Sequence, residues 1–237
     1  MKLTTILFDL DGTLLPMDND AFTRGYFKLL AAKLAPHGYE PKKLVDAIWS
    51  GTAAMVRNDG TRSNEDAFWE DFTGTYGEKA AADIPLFNEF YENEFQGAKA
   101  LCGYNQKASE SVRRLSEAGF RIALATNPIF PSIATESRIR WAGLEPSDFE
   151  LYTTYENTGF CKPNPKYYID VAKRLGVSAE ECLMVGNDVG EDMIAVNVGM
   201  RVFLLTDCII NRDGRSIDEF PHGSFDRLMD HIAALTK

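Results

Sequence analysis

Residues 3–13 read Leu-Thr-Thr-Ile-Leu-Phe-Asp-Leu-Asp-Gly-Thr, an apolar run that ends in two acids and a glycine. A short apolar run bounded by a turn is typical of a strand buried on both faces of a parallel sheet. Side chains two residues apart on an extended segment point the same way, so Asp9 and Asp11 are predicted to share one pocket. Gly12 lets the backbone turn sharply and approach a ligand. Because neighbouring carboxylates repel each other, the pair favours a bound cation, and Mg2+ prefers such oxygen ligands.

The later part of the chain alternates short apolar runs with helical patterns. The predicted strands are Leu3–Phe8, Arg121–Ala125, Phe149–Thr153, Cys182–Val185 and Val202–Leu205. The predicted helices are Gln106–Ala118, Ser132–Ala142, Pro165–Leu175, Val189–Val198 and Phe225–Leu235. Strands that alternate with helices indicate an α/β fold with a Rossmann-like parallel sheet and right-handed crossovers. Such a sheet binds ligands at the carboxyl ends of its strands.

Residues 17–97 do not follow this alternation. They predict helices over Asp20–Leu34, Lys42–Val56, Asn64–Tyr76 and Ile84–Phe95. Aromatic residues are dense in this segment, and the core of a small helical bundle is their simplest interpretation. We therefore predict an α/β core formed by residues 1–16 and 98–237, interrupted by an inserted helical unit at residues 17–97.

Three further polar motifs follow predicted strands. They are Thr126-Asn127, Lys162-Pro163-Asn164-Pro165, and Gly186-Asn187-Asp188 with Asp192 four residues beyond. Together with the pair at the end of the first strand, and in this order, they resemble the haloacid dehalogenase superfamily, whose largest class is phosphatases. The resemblance covers residues 1–15 and roughly 98–205. It implies that the inserted helical unit is the cap domain of that superfamily.

The resemblance implies phosphoryl transfer through the first motif. Asp9 would be the nucleophile that forms an aspartyl-phosphate, and aspartate suits this step because it is ionised at neutral pH. Asp11 would be the general acid and then the general base. Members of the superfamily that remove halide from carbon lack this second Asp, because halide leaves without a proton. The presence of Asp11 therefore favours a phosphate ester as the substrate.

The other motifs would bind the phosphate group. Thr126 and the backbone N–H of Asn127 would donate hydrogen bonds to it, as polar groups between a strand and a helix commonly do for anions. Gly12 would allow the close approach of the substrate. Lys162, in a loop stiffened by two prolines, would neutralise both the phosphate and the nucleophile.

A magnesium site is expected beside the nucleophile. The resemblance implies that Asp188 and Asp192 complete it, together with the Asp9 carboxylate and the Asp11 backbone carbonyl. The commonest pattern of the superfamily places Asp directly after the glycine, whereas this chain has Asn187 there and Asp188 one residue later. We therefore expect Asp188 to contact the metal directly. Asp192 is expected to hold the residues that contact the metal, or to reach the metal through a water molecule. Asn187 as the ligand is the alternative.

The leading functional hypothesis is a Mg2+-dependent phosphatase that hydrolyses a small-molecule phosphomonoester. A phosphosugar mutase or a phosphonate hydrolase of the same fold would use the same nucleophile. A different class of protein, which binds phosphate or regulates without turnover, is also possible because fold does not fix function.

Composition limits the partners and the compartment. A net charge of −10 disfavours nucleic acid, and no apolar stretch approaches the roughly 20 residues that cross a bilayer. The N-terminus lacks the pattern of a signal peptide, and the four cysteines show no metal-binding or disulfide spacing. We expect a cytoplasmic protein, monomeric or dimeric, whose partner is a small phosphorylated metabolite rather than nucleic acid or a membrane.

Overall fold

The part of the chain that the computed structural model describes, residues 2–236, is built around a six-stranded parallel sheet. Its strands are β1 (Thr5–Phe8), β2 (Arg121–Leu124), β3 (Leu151–Tyr152), β4 (Cys182–Gly186), β5 (Arg201–Leu205) and β6 (His222–Gly223). They lie in the order β3-β2-β1-β4-β5-β6. The predicted α/β class with a parallel sheet is thus confirmed. The sequence did not predict β6, because a histidine and a glycine make no apolar run.

Between β1 and β2 the chain is helical. It forms α1 (Asn19–Leu34), α2 (Pro41–Val56), α3 (Asn64–Tyr76), α4 (Glu78–Ala82) and α5 (Ile84–Glu92), followed by a 3-10 helix at Glu94–Leu101. The predicted helix over Ile84–Phe95 was too long, because Asn93 leaves the helical region of backbone space. Gly77, at a φ of 67°, ends α3 and allows the short, unpredicted α4 to start. The boundaries of a cap at residues 17 and 97 stay a prediction.

The remaining helices flank the sheet. They are α6 (Gln106–Glu117), α7 (Ser132–Trp141), α8 (Pro165–Leu175) and α9 (Phe225–Leu235). The helix predicted over Val189–Val198 was wrong in its first half, where the structure has turns before a 3-10 helix at Met193–Val198. The cause is local: the carboxylates of Asp188 and Asp192 accept hydrogen bonds from backbone amides of this segment and compete with the helical pattern.

Successive side chains of a strand point to opposite faces of the sheet, and both faces are buried. Ile6 and Phe8 of β1 join a cluster with α6, α7, α9 and the helices between β1 and β2. Leu7, between them, joins a second cluster with α8 and the 3-10 helix after β4. Period-two burial of this kind explains why the strands read as uninterrupted apolar runs. The first cluster also shows that the inserted helices and the sheet share one continuous apolar core.

The start of α3 is attached to loops of the α/β core. The backbone N–H groups of Asn64 and Glu65 donate to the carbonyls of Thr158 and Tyr155, at 2.8 and 2.9 Å. The buried Asn64 side chain donates to the Pro128 carbonyl at 3.1 Å. The free amides at a helix N-terminus are therefore satisfied here by the core rather than by water.

Two residues of the core loop fit closely against this attachment. The Cys161 sulfur lies 3.2 Å from the Asn64 amide nitrogen and is almost fully buried. A Cβ atom on Gly159 would come within 2.6 Å of the Arg62 carbonyl oxygen, so only glycine fits there without movement. Residues 158–162 thus lie against the backbone of the loop before α3, at Arg62, and against the Asn64 side chain at the start of the helix.

Helices long and apolar enough to span a bilayer are not found anywhere in residues 2–236.

Candidate active site

The carboxyl ends of β1, β2 and β4 bring the predicted motifs together. In the sheet register Phe8 pairs with Leu124 on one side and with Val185 on the other. The residues that follow, Asp9 and Thr126, therefore emerge at the same edge, together with the loop after β4. This is the edge at which parallel sheets bind ligands.

Asp9 is the centre of this cluster. One of its carboxylate oxygens lies 3.0 Å from the Lys162 ammonium, and the other accepts a hydrogen bond from the Thr13 hydroxyl at 3.1 Å. Burial raises the pKa of Asp9 from 3.8 to about 7; Lys162 opposes this rise, while the charges of Asp192 and Asp11 add to it. The site therefore holds more negative charge than its own cations balance, which favours binding of a further cation.

Lys162 is fully buried and bridges two carboxylates. Its ammonium donates to Asp9 and, at 2.6 Å, to Asp192. Burial alone would lower its pKa, but the charges of Asp192 and Asp9 outweigh burial and hold the pKa well above its usual value. The backbone N–H of Lys162 donates to the Asn127 side chain at 3.2 Å. The lysine is thus a fixed positive charge beside the predicted nucleophile.

Asp192 has no carboxylate oxygen left free. One oxygen accepts from Lys162, and the other accepts the backbone N–H groups of Asn187 and Asp188 at 3.0 and 2.9 Å. This arrangement requires glycine at position 186, since a Cβ there would collide with the Asp192 carboxylate. Asp192 therefore fixes the lysine and the loop after β4, which agrees with an indirect role rather than with direct contact to a metal.

Asp188 and Asn187, the two candidates for the direct ligand, differ in how their side chains are engaged. One oxygen of Asp188 accepts the backbone N–H groups of Gly190 and Glu191, and the residue lines the cavity beside Asp9. The Asn187 oxygen accepts the Thr13 hydroxyl at 2.9 Å, and its amide nitrogen donates to the Cys208 carbonyl at 2.6 Å. Asn187 is thus committed to holding the loops together, whereas Asp188 keeps one carboxylate oxygen without a hydrogen bond from residues 2–236.

The residues at this site offer the oxygen ligands that Mg2+ prefers, although their acidic side chains do not form a dense cluster. Within residues 2–236 no three acidic, histidine or cysteine side chains are arranged so that they could hold a metal ion. Mg2+ commonly binds through one or two carboxylates, keeps several waters and takes oxygens from a phosphate. The carboxylates of Asp9 and Asp188 with the Asp11 carbonyl would be such a set. Asp192, for which an indirect or water-mediated role is expected, has both carboxylate oxygens engaged by Lys162 and by backbone N–H groups.

Asp11 is paired with a residue that the sequence analysis missed. Arg138 of α7 is 1% exposed, makes an ion pair with Asp11 and lies 4.4 Å above the Phe130 ring. The other oxygen of Asp11 is buried without a hydrogen-bond partner in residues 2–236. A signal existed in the sequence, because helical periodicity places Arg138 on the same face as Ala134 and Trp141, where a charge is buried.

The residues predicted to bind phosphate differ in the hydrogen bonds that they make near Asp9. Thr126 is buried and lines the cavity, and its hydroxyl makes no hydrogen bond within residues 2–236. The Asn127 side chain donates to Glu191 at 3.0 Å. Gly12, at a φ of 80°, donates its N–H to the Leu15 carbonyl, and a Cβ there would collide with Asn187. Gly12 therefore shapes the turn, while the Thr126 hydroxyl stays available to a ligand.

Two more residues were not assigned a role from the sequence. Thr13 bridges Asp9 and Asn187 and so links the loops after β1 and β4. Glu191 is bonded to Asn127 and lines the cavity; burial raises its pKa to about 7, against the opposing effect of Lys162. Neither could be found from motif spacing, since both depend on how separate loops meet.

A cavity of about 580 Å3 opens from Asp9 into the inserted helices. Its floor includes Asp9, Asp11 and Thr126, and its walls include side chains of α1, α2, α3 and α5. This volume is within the range of small-molecule sites. The predicted nucleophile Asp9 and the predicted proton donor Asp11 thus face one cavity.

Comparison with known proteins gives a family for this arrangement. A family model described as haloacid dehalogenase-like hydrolase matches residues 3–197. The match contains all of the residues discussed above from Asp9 to Asp192.

Curated relatives align over most of the chain. It is 25% identical over 214 residues to the pyrophosphatase PpaX of Halalkalibacterium halodurans, covering 90% of this chain and 88% of that protein. It is 26% identical over 199 residues to the phosphoglycolate phosphatase of Agrobacterium fabrum, covering 82% of this chain and 76% of that protein.

Solved structures share the fold. A 2-haloacid dehalogenase from Pseudomonas syringae pv. Tomato matches with a TM-score of 0.63 and 20% identity, covering 98% of this chain and 99% of that one. At this identity the likeness shows the fold alone, so the reaction must be argued from the residues of the site.

Proposed function

Since this chain belongs to the haloacid dehalogenase-like hydrolases, as its motifs predicted, we propose that it is a Mg2+-dependent phosphatase. Its substrate is a phosphate monoester of a small molecule, and the reaction passes through an aspartyl-phosphate on Asp9. The relatives named pyrophosphatase and phosphoglycolate phosphatase support phosphate as the group attacked.

One observation carries the proposal. The Asp9 carboxylate is held between the Lys162 ammonium and the Thr13 hydroxyl, and it faces a cavity that Thr126 and Asp11 also line. A carboxylate fixed in this way is oriented for attack on phosphorus. The unpaired Thr126 hydroxyl supplies a donor for a phosphate oxygen beside it.

The reaction that follows from this geometry has two balanced steps. Asp9 attacks phosphorus, the bond from phosphorus to the ester oxygen breaks, and Asp11 gives a proton to the departing alcohol. Asp11 then takes a proton from water, whose oxygen attacks phosphorus and releases inorganic phosphate and free Asp9. Arg138 pairs with Asp11 and fixes the position from which its carboxyl gives and takes the proton. Lys162 offsets negative charge on the phosphoryl group throughout.

Mg2+ held by Asp9, Asp188 and the Asp11 carbonyl would supply positive charge next to the phosphate when it is bound. The donor set consists of oxygen atoms, which suits this ion better than a softer metal.

Asp11 is also the reason to prefer this reaction over dehalogenation. A halide leaves carbon without a proton, so a proton donor at this position would have no task.

The test is hydrolysis of p-nitrophenyl phosphate with and without Mg2+, by the wild type and by Asp9→Asn. We expect Mg2+-dependent release that the substitution lowers about 1,000-fold or more, since loss of a nucleophile has effects of this order. A Tm of Asp9→Asn no lower than that of the wild type would exclude misfolding as the cause. Hydrolysis that survives in Asp9→Asn, or halide release from 2-chloropropionate without any phosphatase activity, would contradict the proposal.

A further inference from the structure

The cavity above Asp9 is much larger than a phosphate group requires. Ten aromatic side chains line it, and eight of them come from the inserted helices. Examples are Phe27, Trp49, Phe68 and Trp69, which form edge-to-face pairs with ring centroids 5.5 and 5.2 Å apart. The space is therefore available to the part of the substrate that leaves with the ester oxygen.

Several polar atoms on these walls are paired within the protein, whereas Asn19 Oδ1 and Trp69 Nε1 are buried without a hydrogen-bond partner in residues 2–236. The Tyr26 and Tyr91 hydroxyls bond each other at 2.9 Å, and burial raises the pKa of Tyr26 to about 12, so both stay neutral. The Thr52 hydroxyl donates to the Ile48 carbonyl at 2.9 Å. The walls thus present carbon surface, which favours an apolar occupant.

The charges around the cavity disfavour a second anionic group on the substrate. Six acidic side chains line the cavity, against two arginines. The inserted helices contribute one charge of each sign, Asp20 and Arg24, both exposed. Lys162 and Arg138 are already committed to carboxylates. The two arginines that line the cavity, Arg24 and Arg212, are exposed, so within residues 2–236 a carboxylate or second phosphate placed away from Asp9 would meet no free buried cation and several like charges.

We propose that the preferred substrates are phosphate monoesters of alcohols that carry an aromatic ring, and not esters with a second anionic group. This inference rests on the proposed function and specifies its substrate class. It distinguishes this chain from the relatives named for pyrophosphate and phosphoglycolate, since each of these two compounds carries a second anionic group.

Three esters with alkyl leaving groups test the inference without differences in the chemistry of the leaving oxygen. Benzyl phosphate and ethyl phosphate differ by the ring, whereas ethyl phosphate and phosphoglycolate differ by the added carboxylate. Each is hydrolysed to its alcohol and inorganic phosphate with one water. We expect kcat/KM for benzyl phosphate to exceed that for ethyl phosphate by about tenfold or more, since one ring buries that much apolar surface. Phosphoglycolate should be the poorest of the three. A preference for phosphoglycolate or pyrophosphate would overturn the inference.

Substitution of Trp49 tests the wall itself. Trp49 lines the cavity but is 52% exposed, so Trp49→Ala should leave the fold intact. We expect it to lower kcat/KM for benzyl phosphate about five- to tenfold more than it lowers kcat/KM for ethyl phosphate. The matched control is Tyr104→Ala, since Tyr104 is 62% exposed and lies outside the cavity. An equal loss with both esters would show that the ring does not contact this wall.

Binding of phosphonates separates failure of the inference from failure of the proposed function. Benzylphosphonate and phosphonoacetate cannot be hydrolysed at an ester bond, and calorimetry with Mg2+ measures their affinities directly. Tighter binding of benzylphosphonate supports the inference even if no ester is turned over, in which case the phosphatase proposal alone fails. Tighter binding of phosphonoacetate overturns the inference whatever the hydrolysis assays show.

Discussion

At the scale of single residues, the site is an acidic cluster held by two buried cations. Lys162 pairs with Asp9 and Asp192, and Arg138 pairs with Asp11. A buried ion pair adds little net stability, but removal of one partner leaves a charge that water cannot solvate. The two cations therefore matter to the fold as well as to any reaction.

Arg138→Met should expose this dependence. We expect the free energy of unfolding to fall by about 3 kcal/mol, because Asp11 loses its buried partner. Arg140→Ala is the matched control: Arg140 lies on the same helix, but its side chain is half exposed and its ion pairs lie on the surface. It should change stability by less than about 0.5 kcal/mol. Equal losses of unfolding free energy for the two variants, measured by urea unfolding, would show that the Arg138–Asp11 ion pair stabilises the fold no more than the surface ion pairs of Arg140.

A second prediction concerns pH. Burial raises the pKa of Asp9 from 3.8 to about 7, so between about pH 4 and pH 7 the folded chain binds more protons at this residue than the unfolded chain. The free energy of unfolding contributed by Asp9 therefore falls as pH rises through this window. Asp9→Asn removes the buried charge, and in the presence of a chelator it should gain stability relative to wild type from pH 4 to pH 8.

The gain should reach about 1 kcal/mol, or about 2–4 °C in Tm for a chain of this size. Thermal unfolding at pH 4, 6 and 8 measures it. A difference between the two proteins that does not change with pH would mean that Asp9 is ionised throughout, and that Lys162 compensates its charge completely.

Motif residues could be predicted from the sequence, but their partners could not. Asp9 and Lys162 follow from the type and order of the motifs, and the structure brings them together. Arg138 and Thr13 take part because loops and helices far apart in the chain meet at the sheet edge. The spacing of residues along the sequence does not show which distant segments come into contact. Only the position of Arg138 on the buried face of α7 indicated a role for it.

At the scale of elements, the start of α3 is part of the core loop as much as of the inserted helices. Its backbone N–H groups donate to Tyr155 and Thr158, and Gly159 lies directly against the Arg62 carbonyl. Predicted helix limits were accurate where Gly, Pro or a capping side chain ends an element, as at α8, which the Asn164 cap and Pro165 start and Gly176 ends. They were wrong after β4, because the Asp188 and Asp192 carboxylates take the amides that a helix would use.

Two glycines near α3 should respond oppositely to alanine. Gly159→Ala should lower the free energy of unfolding by about 1–3 kcal/mol, because its Cβ would overlap backbone atoms that cannot move independently. Gly74 lies inside α3, is exposed and has no atom within 4 Å of a built Cβ. Gly74→Ala should therefore raise stability by about 0.5–1 kcal/mol. Denaturant unfolding tests both, and a loss at Gly74 would contradict the argument.

At the scale of the whole molecule, one apolar core extends from the sheet into the inserted helices. The class of the fold was predictable because strands buried on both faces of a sheet consist of uninterrupted apolar residues. The strand order and the shape of the cavity were not, since they depend on packing between segments distant in sequence. The cavity lies where these segments meet, between the sheet edge and α1, α2, α3 and α5.

The closeness of Cys161 to Asn64 has a consequence for chemical labelling. Burial raises the pKa of the Cys161 thiol to about 12 and that of Cys182, inside β4, to about 11, so neither reacts with an alkylating reagent in the closed fold. Cys208 is partly exposed and should react first, whereas burial raises the pKa of the partly exposed Cys102 thiol to about 12 and slows its reaction. Cys161 becomes accessible when α3 leaves its loop, whereas Cys182 requires the sheet to open. The ratio of their alkylation rates, followed by mass spectrometry, therefore measures local detachment of α3 separately from global unfolding.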